Sequence, residues 1–145
     1  MSSDSSTTES VDTISITGQA IDAKQTNIVT AEGEYTIGDV SSPLEHMLGT
    51  LAACISVIGN LVGQEMGISI SDLTITVEGD IDRRRYKGAT ADGRAGFHDI
   101  RVGVEIQADA DEETLEEWMT TVDERCPISD NIQHETGATF SVQRK

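Results

Sequence analysis

The stretch from Pro43 to Met66 constrains the fold more than any other part of the chain. Leu44, Met47, Leu48, Leu51, Cys54, Ile55, Ile58, Leu61 and Val62 recur at spacings of three and four, the period of an α-helix. Much of the remainder is small: Gly49, Ala52, Ala53, Ser56, Gly59 and Gly63. Such a helix can be approached closely from more than one side, which suits the centre of a fold. Ser41-Ser42-Pro43 supplies its start, a serine at the cap and a proline in the first turn. Gly67 supplies its stop.

Around this helix the pattern alternates between strand and helix. Residues 13–21, 27–31 and 34–37 read as an N-terminal hairpin or meander, with Glu32-Gly33 between the last two. Asp72 to Asp80 alternates through Leu73, Ile75 and Val77, a half-buried strand. Residues 81–94 hold Arg83-Arg84-Arg85, Gly88 and Asp92-Gly93 and read as a loop. Phe97 to Gln107 alternates again through Ile100, Val102, Val104 and Ile106, and is expected to pair antiparallel with the previous strand. Asp109 to Arg125 is a second helix, its early acids suiting the helix dipole. Cys126-Pro127 breaks it, Ile128 to His134 forms a short helix, and Thr139 to Gln143 reads as a final strand. The class is α+β, with helices on one face of an antiparallel sheet. Residues 1–10 are expected to form a disordered tail and 11–145 a single domain.

Charge narrows the function. Twenty-six acidic residues against ten basic ones give a net charge of −16. That balance argues against nucleic acid and against anionic membrane surfaces. Aromatics make up only 3% of the chain, too few for a base-stacking platform. Lys24, Lys87 and Lys145 are the only lysines. An acid-rich, lysine-poor chain fits a high-salt cytoplasm, where at about 1 M the Debye length is roughly 3 Å and self-repulsion is screened. No basic, apolar leader opens the sequence and no run reaches the length of a membrane span, so the expected location is the cytoplasm.

His46, His98 and His134 are isolated, Cys-x-x-Cys is absent, and no glycine loop has phosphate-binding form. Neither metal nor cofactor is expected. The chemistry falls to Cys54 and Cys126, which in a reducing compartment point to redox or catalytic use. Cys54 lies on the apolar stripe of the long helix, where a free cysteine also serves as a small buried hydrophobe. Cys126 sits at a helix junction, where backbone N–H groups and Arg125 are expected to make it the more acidic thiol. A structural disulfide is the third option, closing a loop of about 70 residues and worth on the order of 4 kcal/mol.

Three segments, in order, carry a resemblance: SSPLEHMLGTLAACISVIGNLVGQEMGI, then DLTITVEGDID with RAGFHDIRVGVEI, then DEETLEEWMTTVDERCPISDNI with its Cys-Pro-x-Ser ending. Together they resemble the OsmC/Ohr family of thiol peroxidases. The resemblance implies an OsmC-like fold, with sheets wrapped around long central helices in an intertwined homodimer. It implies reduction of organic hydroperoxides, Cys54 attacking the peroxide, Cys126 resolving the sulfenic acid as a disulfide, and an external dithiol resetting the pair. It also implies an arginine and a glutamate around the reactive thiolate. Residues 1–82 contain no arginine; the Arg83–Arg85 cluster or Arg94, from this subunit or a partner, is a candidate cation, against the plainer reading of that cluster as a solvated loop. Glu45 is the matching acid, one position later than the family places it. Two other readings stay open: a redox-sensing or thiol-carrier protein of the same fold with little peroxidase activity, and a non-enzymatic ligand-binding dimer.

Overall fold

The computed structural model describes residues 10–90 and 92–145. Apart from Ser10, the tail expected over residues 1–10 lies outside the described residues. The chain forms two compact units, Met1–His46 and Met47–Lys145.

In the first unit, β1 (Thr17–Ala20), β2 (Thr26–Val29) and β3 (Glu34–Ile37) form an antiparallel meander in that order. Turn chemistry fixes both connections. Asp22 Oδ1 accepts the N–H groups of Lys24 and Gln25, each at 2.8 Å, and Thr30 Oγ1 accepts those of Glu32 and Gly33, each at 3.2 Å. Gly38 has φ 105°, and a Cβ there would overlap the Lys24 carbonyl oxygen, so only glycine fits. Ile28 is buried. The first strand is shorter than the expected 13–21. Its partner β2 pairs Thr17 with Val29 and then turns, so nothing remains for Ile14 and Ile16 to pair with on that strand.

The long helix α1 (Pro43–Glu65) matches the expected span to within one residue. Its start is a capping box: Glu45 N–H donates to Ser42 Oγ at 3.1 Å, and Ser42 N–H donates to Glu45 Oε1 at 3.0 Å. Its end is a Schellman motif. Ile68 N–H returns to the Gly63 carbonyl at 2.8 Å and Gly67, at φ 73°, to that of Gln64 at 3.2 Å.

The second unit holds the main core. β4 (Ile70–Ile81) and β5 (Phe97–Ala108) form a two-stranded antiparallel ribbon, followed by α2 (Glu112–Arg125) and α3 (Pro127–Gln133). Leu73, Ile75 and Val77 of β4 and Ile100, Val104 and Ile106 of β5 pack against Leu51, Ile55 and Val62 of α1 and Trp118 and Val122 of α2. Their neighbours Thr74, Thr76, Glu78, Arg101 and Glu105 face water. The helices thus cover one face of the ribbon, the α+β arrangement expected from the pattern.

Trp118 explains the small residues of α1. The indole is 1% exposed, and its Nε1–H donates to the Gly59 carbonyl at 2.8 Å. A Cβ on Gly59 would lie 2.8 Å from Trp118 Cζ2, and one on Gly63 2.8 Å from Ile70 Cδ1. The glycines let the indole and β4 reach the α1 backbone. Burying an indole gives about 4–6 kcal/mol of gross hydrophobic stabilisation, an upper estimate.

The other face of α1 is not covered. Met47, Val57 and Leu61 are exposed, Val57 by 66%. By length and composition alone the helix could cross a membrane, but its Leu51–Ile55–Gly59–Val62 face is buried in the core. The expected strand over Thr139–Gln143 does not form. Among the described residues no strand pairs with it, and Phe140 and Val142 are each 95% exposed.

Candidate active site

Cys54 lies in the middle of α1, between the buried Leu51 and Ile55, and is itself half-buried. Every nearby N–H is spent on the helical ladder, so the backbone offers its sulfur nothing. Cys126 is 0% exposed and occupies the junction of two helices, ending α2 and capping α3. Its backbone is extended, φ −82° and ψ 111°, and Pro127 at the next position cannot donate to the α2 ladder. The chain must therefore turn at this point. The turn frees the Ser129 N–H, which donates to Cys126 Sγ at 3.4 Å.

This junction brings Cys126 to Cys54. Cys54 packs against the buried cluster that contains Cys126, and both thiols are free. Burial pushes the Cys126 thiol above its ordinary pKa, and contact with Cys54 pushes the same way. The N–H groups of Ser129 and Ile128 pull it down but do not prevail. The expectation that the helix cap would make Cys126 an acidic thiol is therefore overturned. Desolvation of a fully buried sulfur outweighs two N–H groups.

Arg125 does not turn inward either. Its guanidinium grips the Glu65 carboxylate with two hydrogen bonds, 2.7 and 3.2 Å, tying the end of α2 to the end of α1. Arg84 is held by Asp82 at 2.6–3.1 Å, which lowers the Asp82 carboxyl to about 2. Arg83, Arg85 and Arg94 are exposed. Glu45 lies at the start of α1, more than two turns before Cys54, where the Ser42 backbone N–H holds its carboxyl below the usual range. His46 stacks on Tyr35 with ring centroids 5.5 Å apart. No group of three or more His, Cys, Asp or Glu among the described residues is placed to hold a metal ion.

Three residues around Cys126 escaped the sequence reading. Ser129 Oγ donates to Asp123 Oδ1 at 2.6 Å, and Gln133 Nε2 donates to the same oxygen at 3.0 Å and to Ser129 Oγ at 2.6 Å. The Cys-Pro-x-Ser ending was the one available signal, and it points to Ser129 only. These residues line a cavity of about 520 Å³, whose other walls are mainly Leu51, Ile55, Ile100, Val102 and Met119. Leu51 and Ile55 neighbour Cys54 along α1 and Ser129 touches Cys126, but neither cysteine lines the cavity.

The family described as OsmC-like protein matches residues 38–141 of the chain. Among solved structures, an OsmC-like protein from Mycoplasma pneumoniae superposes with a TM-score of 0.75 at 23% identity, over 86% of this chain and 89% of that one. The organic hydroperoxide resistance protein OhrB of Bacillus subtilis gives 0.52 at 19%, over 86% and 93%. An organic hydroperoxide resistance protein from Elizabethkingia anophelis gives 0.59 at 18%, over 88% and 92%. None of the curated proteins compared matches the chain. With the family pattern spanning both cysteines and the fold shared along nearly the whole length, the chain belongs to the OsmC-like protein family.

Proposed function

We propose that the protein is a cysteine-based peroxidase that reduces organic hydroperoxides. The observation that carries this reading is that the fold packs Cys54 against the buried cluster containing Cys126, gathering two free cysteines from distant parts of the chain. Cys54 is the accessible partner and takes the first step. Its thiolate attacks the terminal peroxide oxygen; an S–O bond forms, the O–O bond breaks, and the alkoxide leaves as the alcohol after taking a proton. Cys54 becomes a sulfenic acid. Cys126 then attacks that sulfur; the S–S bond forms, the S–O bond breaks, and water leaves. An external dithiol returns both cysteines to thiols by exchange.

The working form in this reading is a cytoplasmic homodimer. The exposed Met47, Val57 and Leu61 on the helix that carries Cys54 support it, because an apolar helix face of this kind needs cover. An arginine from the partner subunit is the candidate cation for the Cys54 thiolate; Arg83 and Arg94 are exposed. The charge of −16 supports a high-salt setting, and the melting temperature is expected to fall as salt is withdrawn.

A redox sensor or thiol carrier of the same fold is the second reading, favoured by the absence of arginine from residues 1–82. Steady-state turnover of an alkyl hydroperoxide with a dithiol reductant separates the two. Multiple turnovers, lost in both Cys54→Ser and Cys126→Ser, support the peroxidase. A single oxidation event without turnover supports the sensor.

A further inference from the structure

Asp123, Ser129 and Gln133 bridge the helix break at Cys126. Asp123 lies in the last turn of α2, three residues before the cysteine; Ser129 lies three residues after it, and Gln133 is the last residue of α3. Their three hydrogen bonds, 2.6, 3.0 and 2.6 Å, all cross from one helix to the other or brace the side chain that does. A seven-residue helix cannot hold a direction by its own stability, so α3 depends on such ties and on the packing of Ile128 and Ile132. Ser129 acts at both ends of the connection. Its hydroxyl is anchored to Asp123, and its N–H donates to Cys126 Sγ. At 7% exposure, Ser129 has little room to move without breaking one or both.

We propose that the Asp123–Ser129–Gln133 hydrogen-bond clip is a positioning device that holds the Cys126 thiol against Cys54 and so sets the effective concentration of one thiol toward the other. The inference rests on the resolving role of Cys126 given above. Resolution joins the two sulfurs while the S–O bond of the Cys54 sulfenic acid breaks and water carries away the hydroxyl and the Cys126 proton. That displacement needs Cys126 Sγ in line with the S–O bond, and a small misplacement slows it steeply. The same pre-positioning favours the disulfide at equilibrium, whatever oxidant forms it.

The test is a redox titration of the full-length protein against reduced and oxidised glutathione, in which two glutathiones are formed for each Cys54–Cys126 disulfide. Asp123→Ala and Ser129→Ala are expected to lower the equilibrium constant about tenfold, the scale of a lost hydrogen bond to a charged acceptor. Asp123→Asn keeps an acceptor oxygen and is expected to stay within about threefold of the parent. Gln133→Ala, at an exposed site, serves if the other variants fail to fold, with an expected drop of about threefold. In parallel, one equivalent of an alkyl hydroperoxide is added and the Cys54 sulfenic acid is trapped; its lifetime should lengthen in the same order as the equilibrium constants fall. Variants that melt earlier but keep the parent equilibrium constant would overturn the proposal, reducing the clip to a structural brace. A parent that ignores peroxide while its variants still show the glutathione shift would remove the peroxidase reading and leave the clip standing.

Discussion

Cys54 and Cys126 occupy opposite kinds of backbone. Around Cys54, α1 runs unbroken for 23 residues, and the side chain is half-exposed. Around Cys126 the helix is broken by Pro127, N–H groups are freed, and the side chain is fully buried. A freed N–H lowers a thiol pKa only if the charged form is otherwise tolerated, and in a dry site it is not. In the proposed reaction, burial closes Cys126 to an incoming peroxide and raises its pKa, which leaves the first attack to the more accessible Cys54. The rigid helix presents one sulfur, and the jointed segment carries the other to it.

The contact between these two regions depends most on the tie that packs α2 onto α1. Trp118→Ala removes the indole and its bond to the Gly59 carbonyl, and is expected to cost about 3–5 kcal/mol in urea unfolding. Gly59→Ala pushes a methyl into the same ring, with an expected cost of about 1–3 kcal/mol. Either change should also slow disulfide formation between Cys54 and Cys126, because the two helices no longer meet in register.

A smaller effect should appear on the alkaline side. The folded Cys126 pKa lies above its unfolded value, so its neutral form stabilises the fold fully below the unfolded thiol pKa, about 8.5. That contribution is lost as pH rises through the folded pKa. Unfolding measured between pH 8 and 10 should show an alkaline decline that weakens in Cys126→Ala. A decline of equal slope in both proteins would contradict the burial argument.

The smallest change expected is at Arg125. Its pair with Glu65 is 40% and 51% exposed, so Arg125→Ala should leave the urea unfolding midpoint almost unchanged. It should also leave the alkylation profile of Cys126 unchanged, since the guanidinium is directed at Glu65. A shifted profile would return to Arg125 the electrostatic role its sequence position suggested.

Most of the framework was legible because it rests on local periodicity. The apolar spacing gave α1, alternation gave β4 and β5, and Ser42-Pro43 and Gly67 marked ends that the capping box and the Schellman motif occupy. What escaped depends on distant partners. Residues 139–143 alternate like a strand, but a strand needs a ladder, and the described residues supply none there. The direction of Arg125 was set by Glu65, sixty residues away. The acidity of Cys126 turned on its burial in the cluster with Leu51, Ile55, Trp118 and Val122, which spacing around Cys126 does not encode. The Asp123–Ser129–Gln133 clip was hidden for a similar reason: in so acidic a chain, one aspartate three residues before a cysteine looks like any other.

The central claim is that Cys54 and Cys126 form one redox pair. It is tested most directly by adding one equivalent of an alkyl hydroperoxide to the reduced protein and mapping its disulfides by mass spectrometry. The account predicts a single intramolecular Cys54–Cys126 bond, formed rapidly and reversed by a dithiol. Slow oxidation spread over both cysteines without that bond, or a disulfide joining two copies of the chain, would contradict it.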